Sequence, residues 1–311
     1  MSASSTRPGV APRAPRTTEA HAHDPVPDPA APGTAAYRRL AVLAPVLRVR
    51  CAPPRRDDGW IPAADLAARP EALRELITHD ARQGSARYGR PLRPDVAAGF
   101  ALHRFVWPAS LLFTVPWFLE RRVPLLTPAD VSVRREAGSA ELTVRPGAFA
   151  CLPDDPVAGA PRARPVPDEA ALAAELRCAL GAFLTPLLTA FRPEVRRGPR
   201  VLWAMATDAV VEGLWYVGGR LGEQERARDE LSALLRPPSA DGGPEAPART
   251  PGAADCAAPA PAPFTPNAGF AAAEAGCTGA SDTDRARASC CLVYTVRPEE
   301  MCGGCPRVTR G

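Results

Sequence analysis

Residues 95–121 read DVAAGFALHRFVWPASLLFTVPWFLER. Asp95 stands where a helix N-cap is wanted, and the residues after it are good helix formers with apolar side chains on every face. The run predicts a long helix from about Val96 to Arg121, kinked or divided at Pro108 and Pro116. Its longest uncharged apolar stretch, Phe105 to Leu119, holds both prolines and falls short of the roughly twenty residues that span a bilayer. A soluble protein is therefore expected, with no stable membrane insertion.

Working outward, Pro70–Arg82 places Leu73, Leu76 and Ile77 at helical spacing. Ala63–Leu66 is also helical, and Tyr37–Arg50 is structured. On the C-terminal side, residues 130–135 and 141–145 alternate apolar and polar around Ala137-Gly138-Ser139, the pattern of a β-hairpin. Asp168 caps a helix running to about Phe191, with Leu172, Leu176, Leu180, Phe183 and Leu187 on one face and a kink at Pro186. A last long helix covers about Arg200 to Leu235, with Gly213, Gly218 and Gly219 as weak points. The fold class is α+β: a mainly α-helical body, a small β-hairpin and a cysteine-bearing C-terminal segment.

Composition divides the chain. Of 311 residues, 38 are Pro and 24 Gly, too few to make the whole disordered, but they cluster. Residues 1–33 form a disordered tail, 34–235 the helical body, 236–266 a Pro/Ala/Gly-rich linker and 267–311 the C-terminal segment. Every basic residue is Arg, and the net charge is only +4 and scattered, which argues against nucleic acid as a partner. The N-terminal sequence has no apolar stretch of signal-peptide length, so a cytoplasmic location is expected. Thiols stay reduced there, and clustered cysteines then favour metal or redox chemistry over disulfides.

Such a cluster exists. Four of the nine cysteines lie in the last 22 residues: Cys290, Cys291, Cys302 and Cys305, in SCCLVYTVRPEEMCGGCPR. Cys302-Gly-Gly-Cys305 is a good half-site, because the glycines let two thiolates turn onto one centre. Residues 292–301 are long enough for a hairpin that returns the second pair to the first. Zinc sites usually space paired cysteines by two to four residues, and neighbours in a strand point to opposite faces. For Cys290 and Cys291 to share a centre the backbone must leave extended geometry. A two-iron cluster offers ligand positions in several directions and suits the vicinal pair better than one tetrahedral ion, yet spacing alone leaves zinc and iron–sulfur both open.

The C-C-x10-C-x2-C tail, with Tyr294 soon after the first pair and Gly303-Gly304 before the last cysteine, resembles the FhuF-like ferric siderophore reductases. The resemblance covers about twenty residues. It implies a [2Fe–2S] cluster held by Cys290, Cys291, Cys302 and Cys305, and one-electron reduction of a chelated Fe(III) so that Fe(II) is released. The partners it implies are a ferric siderophore, with hydroxamates as one candidate class, and an external electron donor such as a ferredoxin or flavin reductase. No catalytic residue beyond the cluster is needed. The alternatives are an iron–sulfur redox or iron sensor without turnover, and a structural zinc-binding module. Arg285, Arg287, Arg297, Arg307 and Arg310 are placed to offset the cluster's negative charge, with Glu299 and Glu300 opposing them.

Other motifs carry less. Gly218-Gly219-Arg-Leu-Gly222 follows a helical pattern and fails the context of a dinucleotide site, and there is no P-loop or G-x-S-x-G elbow. His21 and His23 sit in the disordered tail as a solvated pair. His103 and the aromatic residues Phe105, Trp107, Phe113, Trp117 and Phe118 are expected to be core packing ahead of a siderophore-facing wall. Cys178 is expected to be a buried apolar residue.

Overall fold

The computed structural model describes residues 33–136, 138–236, 260–265 and 287–299. At its centre is the helix read first from sequence, α4 (Pro94–Glu120), buried almost all round. Before it come α1 (Thr34–Leu43), α2 (Ala63–Ala68) and α3 (Pro70–Tyr88). After it come α5 (Glu169–Val195), α6 (Pro199–Leu221) and α7 (Gln224–Leu235). Helices α1, α3, α5 and α6 all pack on α4. A helix that is apolar on every side must be enclosed in this way, since any exposed flank would forfeit its share of burial, about 25 cal/mol per Å².

The α4 prolines neither end nor divide the helix. Pro116 has no N–H to give the Leu112 carbonyl four residues back. Tyr37 of α1 supplies the missing donor: its hydroxyl donates to Leu112 O at 3.0 Å, and burial pushes the phenol pKa well up, so it stays a donor. A tertiary contact thus compensates for the local defect. On α5, Leu172, Leu176, Leu180, Phe183 and Leu187 are all buried, as their spacing requires. Phe183 meets Phe113 of α4 edge-on, with ring centroids 5.3 Å apart, a geometry worth about 0.5–1.5 kcal/mol beyond area. Asp168 does cap α5, accepting from Ala171 N at 2.8 Å.

One correction concerns the last helix. It is two helices, because the chain turns at Gly222 (φ 73°), where Glu223 N donates to Gly218 O at 2.8 Å. This is the left-handed C-terminal stop that glycine favours. The close pairing of α6 and α7 also depends on Gly218, where a Cβ would overlap that of Ala227. A second correction is that Asp95 is not the N-cap of α4. Arg93 takes that position and Asp95 lies in the first turn, held by the Arg93 fork at 2.7 and 3.1 Å.

The expected hairpin is present as β4 (Val131–Glu136) and β5 (Ser139–Val144), with Val131 opposite Val144. It is the middle of a four-stranded sheet. Strand β1 (Leu47–Cys51) runs parallel to β5, and β2 (Trp60–Pro62) antiparallel to β4. A second sheet joins β3 (Arg122–Pro124), β6 (Phe149–Cys151) and β7 (Ala163–Pro165). These short strands lack a full alternating pattern and are defined by their pairing.

Within the expected linker, residues 237–259 and 266 lie outside the described residues, but 260–265 dock on the body. Ala262 N donates to Arg177 O at 3.0 Å, Thr265 N to Thr207 Oγ1 at 3.2 Å, and Phe264 stacks edge-on against Trp203 at 6.4 Å. Gly181 of α5 makes room for this strap, since a Cβ there would collide with the backbone of residues 260–262. The chain thus touches the α5–α6 face shortly before its C-terminal segment.

Two helices, Pro94–Glu120 and Glu169–Val195, are long and apolar enough to cross a membrane by length and composition. The first is 83% buried within the body over its most apolar window, and its neighbours occupy the surface that lipid would need.

Candidate functional site

Val96, Gly99, Phe100 and His103 recur at three- and four-residue spacing and form one face of α4. Met205, Asp208 and Glu212 form one face of α6. Between these faces, and against the C-terminal end of α3, lies the segment 287–299 with the vicinal cysteines.

Asp208 sets the register of this segment. Its carboxylate is 1% exposed. Oδ1 accepts from Ala288 N at 2.9 Å, and Oδ2 accepts from Ser289 N at 2.8 Å and from Ser289 Oγ at 2.5 Å. Hydrogen bonds to a charged acceptor contribute about 1.5–3 kcal/mol each, so this one carboxylate can immobilise the backbone just before Cys290. One turn further along α6, Glu212 pairs with Arg287 at 3.4 Å and lies 3.9 Å from His103 Nε2.

Beyond the cysteines the chain turns sharply. Leu292 adopts a left-handed conformation (φ 62°), and a 3-10 turn follows over Val293–Thr295. Thr295 Oγ1 donates to Leu292 O at 2.7 Å, and Arg90 Nη2 reaches Thr295 O at 2.9 Å. Leu292 and Val296 then pack on Val96 and Phe100, with Tyr88 and Leu92 at the rim. The outgoing strand expected over 292–296 is therefore absent. Local hydrogen bonds and two apolar anchors at i and i+4 hold a compact turn instead.

The turn bears on the cofactor. Cys290 packs against the Val96–Phe100 cluster, and Cys291 lines a cleft of ≈ 280 Å³ together with Arg87, Tyr88, His103, Arg104 and Met205. Both cysteines are partly accessible. The backbone takes the left-handed conformation at Leu292, directly after the pair. Soft thiol donors on a pinned, partly exposed turn fit an iron–sulfur cluster. Cys302 and Cys305 lie outside the described residues, as do Cys256, Cys277, His21, His23, Arg285, Glu300, Arg307 and Arg310. Among the described residues no group of three or more His, Cys, Asp or Glu is gathered as a metal site.

The remaining sequence candidates divide. Phe105, Phe113 and Phe118 are wholly buried and Trp117 nearly so, which makes them core. Trp107 is only partly buried, and with His103 it lines a second hollow next to the first. Cys178 is half-buried, and burial raises its thiol pKa. Of the arginines expected to balance a cluster, Arg287 is countered by Glu212. Arg297 lies 5.9 Å from the Tyr88 ring and 3.8 Å from Glu299.

Sequence reading missed Asp208 and Glu212. The available signal was two carboxylates four residues apart within MATDAVVEGL, an otherwise apolar helical stretch. A charge on a buried helix face requires a partner. It also missed Asp80, Arg104 and Arg135. Asp80 is 1% exposed and lies 3.6 Å from Arg104 and 3.8 Å from Arg135. Burial lowers the Arg135 pKa, opposed by Asp80 and reinforced by Arg104.

Residues 287–307 match a family model described as the FhuF 2Fe–2S C-terminal domain. The match covers the cysteine tail, 21 of the 311 residues, and agrees there with the FhuF-like resemblance of that segment. No curated protein and no solved structure matches the chain. The cofactor named for this domain is a [2Fe–2S] cluster.

Proposed function

We propose that this chain, which carries an FhuF-type [2Fe–2S] domain, is a cytoplasmic ferric-siderophore reductase. In this reading Cys290, Cys291, Cys302 and Cys305 hold the cluster, and a ferredoxin or flavin reductase supplies electrons. The observation that carries it is the position of Cys291 on the wall of a cleft large enough for part of a ligand. A sensor without turnover has no need of a substrate space beside its thiols.

When bound, the cluster supplies a one-electron couple. The net reaction is that chelated Fe(III) gains one electron and becomes Fe(II). Hard oxygen donors hold Fe(II) less tightly, and the metal leaves its chelate. The polypeptide's own part is positional. Asp208 and Glu212 fix residues 287–289, and Leu292 and Val296 seat the turn on α4. Tyr88, Phe100 and Met205 give the cleft an apolar flank, and Arg87 and Arg104 give it positive charge. No residue is required to move a proton.

The test is anaerobic mixing of reduced protein with a ferric trihydroxamate and a ferrous-specific chelator. The reductase reading expects the ferrous complex to form as the cluster reoxidises, with further turnover when reductant is added. An intact, redox-active cluster that releases no ferrous iron from any ferric chelate would instead mark a sensor.

A further inference from the structure

The cleft beside Cys291 does not end at His103. A second hollow of ≈ 260 Å³ shares Arg87, His103 and Arg104 with it and continues to Asp80, Gln83, Trp107 and Arg135. The far end has an unusual charge arrangement. Arg135 is 9% exposed at its side chain, and its Nε and Nη2, together with Nη1 of Arg104, have no hydrogen-bond partner among the described residues. Both guanidinium groups face one carboxylate, Asp80, at 3.6 and 3.8 Å, beyond hydrogen-bond reach. Among the described residues one positive charge is therefore uncompensated there. Arg87, exposed at the junction of the two hollows, adds another and makes no ion pair among the described residues. Glu136 at the rim is paired with Arg134.

Buried guanidinium donors without acceptors are costly unless something fills them, and carboxylate is the group whose geometry matches their fork. We propose that the two hollows form one substrate groove for an anionic, carboxylate-bearing ferric chelate. Its iron centre lies at the Cys291 end, and a carboxylate of its ligand is received by Arg104 and Arg135. This rests on the reductase reading and assigns its substrate class. The charge arrangement serves association as well as fit. A cluster with four thiolates is negative and would repel an anionic chelate, and arginines along the path lower that barrier.

Binding can be separated from electron transfer with redox-inert gallium(III). Ga(III) citrate is titrated into the holoprotein and followed by isothermal titration calorimetry. Saturable binding is expected, weakened about tenfold or more in Arg104→Gln. Weakening and a reduced salt dependence are also expected in Arg87→Gln, whose exposed site spares the fold. The Ga(III) complex of desferrioxamine B, a cationic trihydroxamate, should bind more weakly and be insensitive to both changes. Unchanged Ga(III) citrate affinity in folded Arg87→Gln and Arg104→Gln, or no Ga(III) citrate binding at all, overturns the proposal. If Arg104→Gln fails to fold, Arg87→Gln alone decides. Arginine-dependent binding without reduction of ferric citrate would keep the groove and remove the reductase. Reduction of chelates with no arginine dependence would do the reverse.

Discussion

Cys291→Ser is expected to abolish the visible absorption of the holoprotein, or to shift it markedly, and to reduce ferrous release at least a hundredfold. A serine alkoxide is a harder, less available donor than a thiolate, so one substitution disturbs the whole centre. The body should be unaffected. Cys291 lies in the tail segment, and its side chain belongs to neither of the buried clusters that hold the helices together. The thermal transition of the helical body therefore stays within about 0.5 kcal/mol of wild type, as for a surface change. A Cys291→Ser protein with an unaltered spectrum would remove Cys291 from the ligand set. Cys178→Ser is the control, because that thiol sits on α5 and lines neither hollow beside Cys291, and it should leave spectrum and activity in place.

Asp208→Ala should have the second largest effect, through position and not chemistry. It leaves Ala288 N, Ser289 N and Ser289 Oγ without the acceptor they now share. An unsatisfied buried donor costs about 1–3 kcal/mol. Even one such penalty, at about 2 kcal/mol, shifts the docked segment toward release by some thirtyfold. The readouts are faster hydrogen exchange over residues 288–296 and faster loss of the cluster to a chelator. The body's unfolding midpoint should hold or rise, since a buried carboxylate has been removed. Asp208→Asn keeps one acceptor oxygen and should fall between. Exchange over 288–296 as slow in Asp208→Ala as in wild type would show that the apolar anchors Leu292 and Val296 suffice alone.

These effects mark where sequence and structure part. Periodicity was legible wherever one face decides burial, as in α5, where five apolar positions read from spacing are all interior. The β4–β5 hairpin followed from alternation and its glycine turn. Local rules misled where a distant residue intervenes. Pro116 looks like a breaker until Tyr37, far away in sequence, donates to the carbonyl it frees. The helix break at Gly222 was blurred because Gly213, Gly218 and Gly219 compete with it. Two of those pack closely on neighbours, Gly213 against Leu111 and Gly218 against Ala227, with no left-handed turn at either.

The candidate ligands stand out in the sequence, and their setting does not. Four cysteines within a short tail announce themselves by composition. What holds the segment bearing Cys290 and Cys291 against the body is a carboxylate on α6, an aliphatic pair on the segment and a wall of α4, brought together only by folding. The expected strand after Cys291 gave way to a 3-10 turn because Thr295 satisfies its own loop and Leu292 takes the left-handed region. Arg287 reads from sequence as a cluster-balancing charge, yet Glu212 already engages it. Any effect of Arg287 on the potential is then through the segment's position as much as its charge.

The most direct measurement is the spectrum of the full chain purified without oxygen, with iron, sulfide and zinc assayed on the same sample. A two-iron centre held by Cys290, Cys291, Cys302 and Cys305 predicts a red-brown protein with visible charge-transfer bands that bleach on one-electron reduction, and about two irons and two sulfides per chain. A colourless protein carrying stoichiometric zinc, with no bands restored by iron and sulfide, would contradict the account.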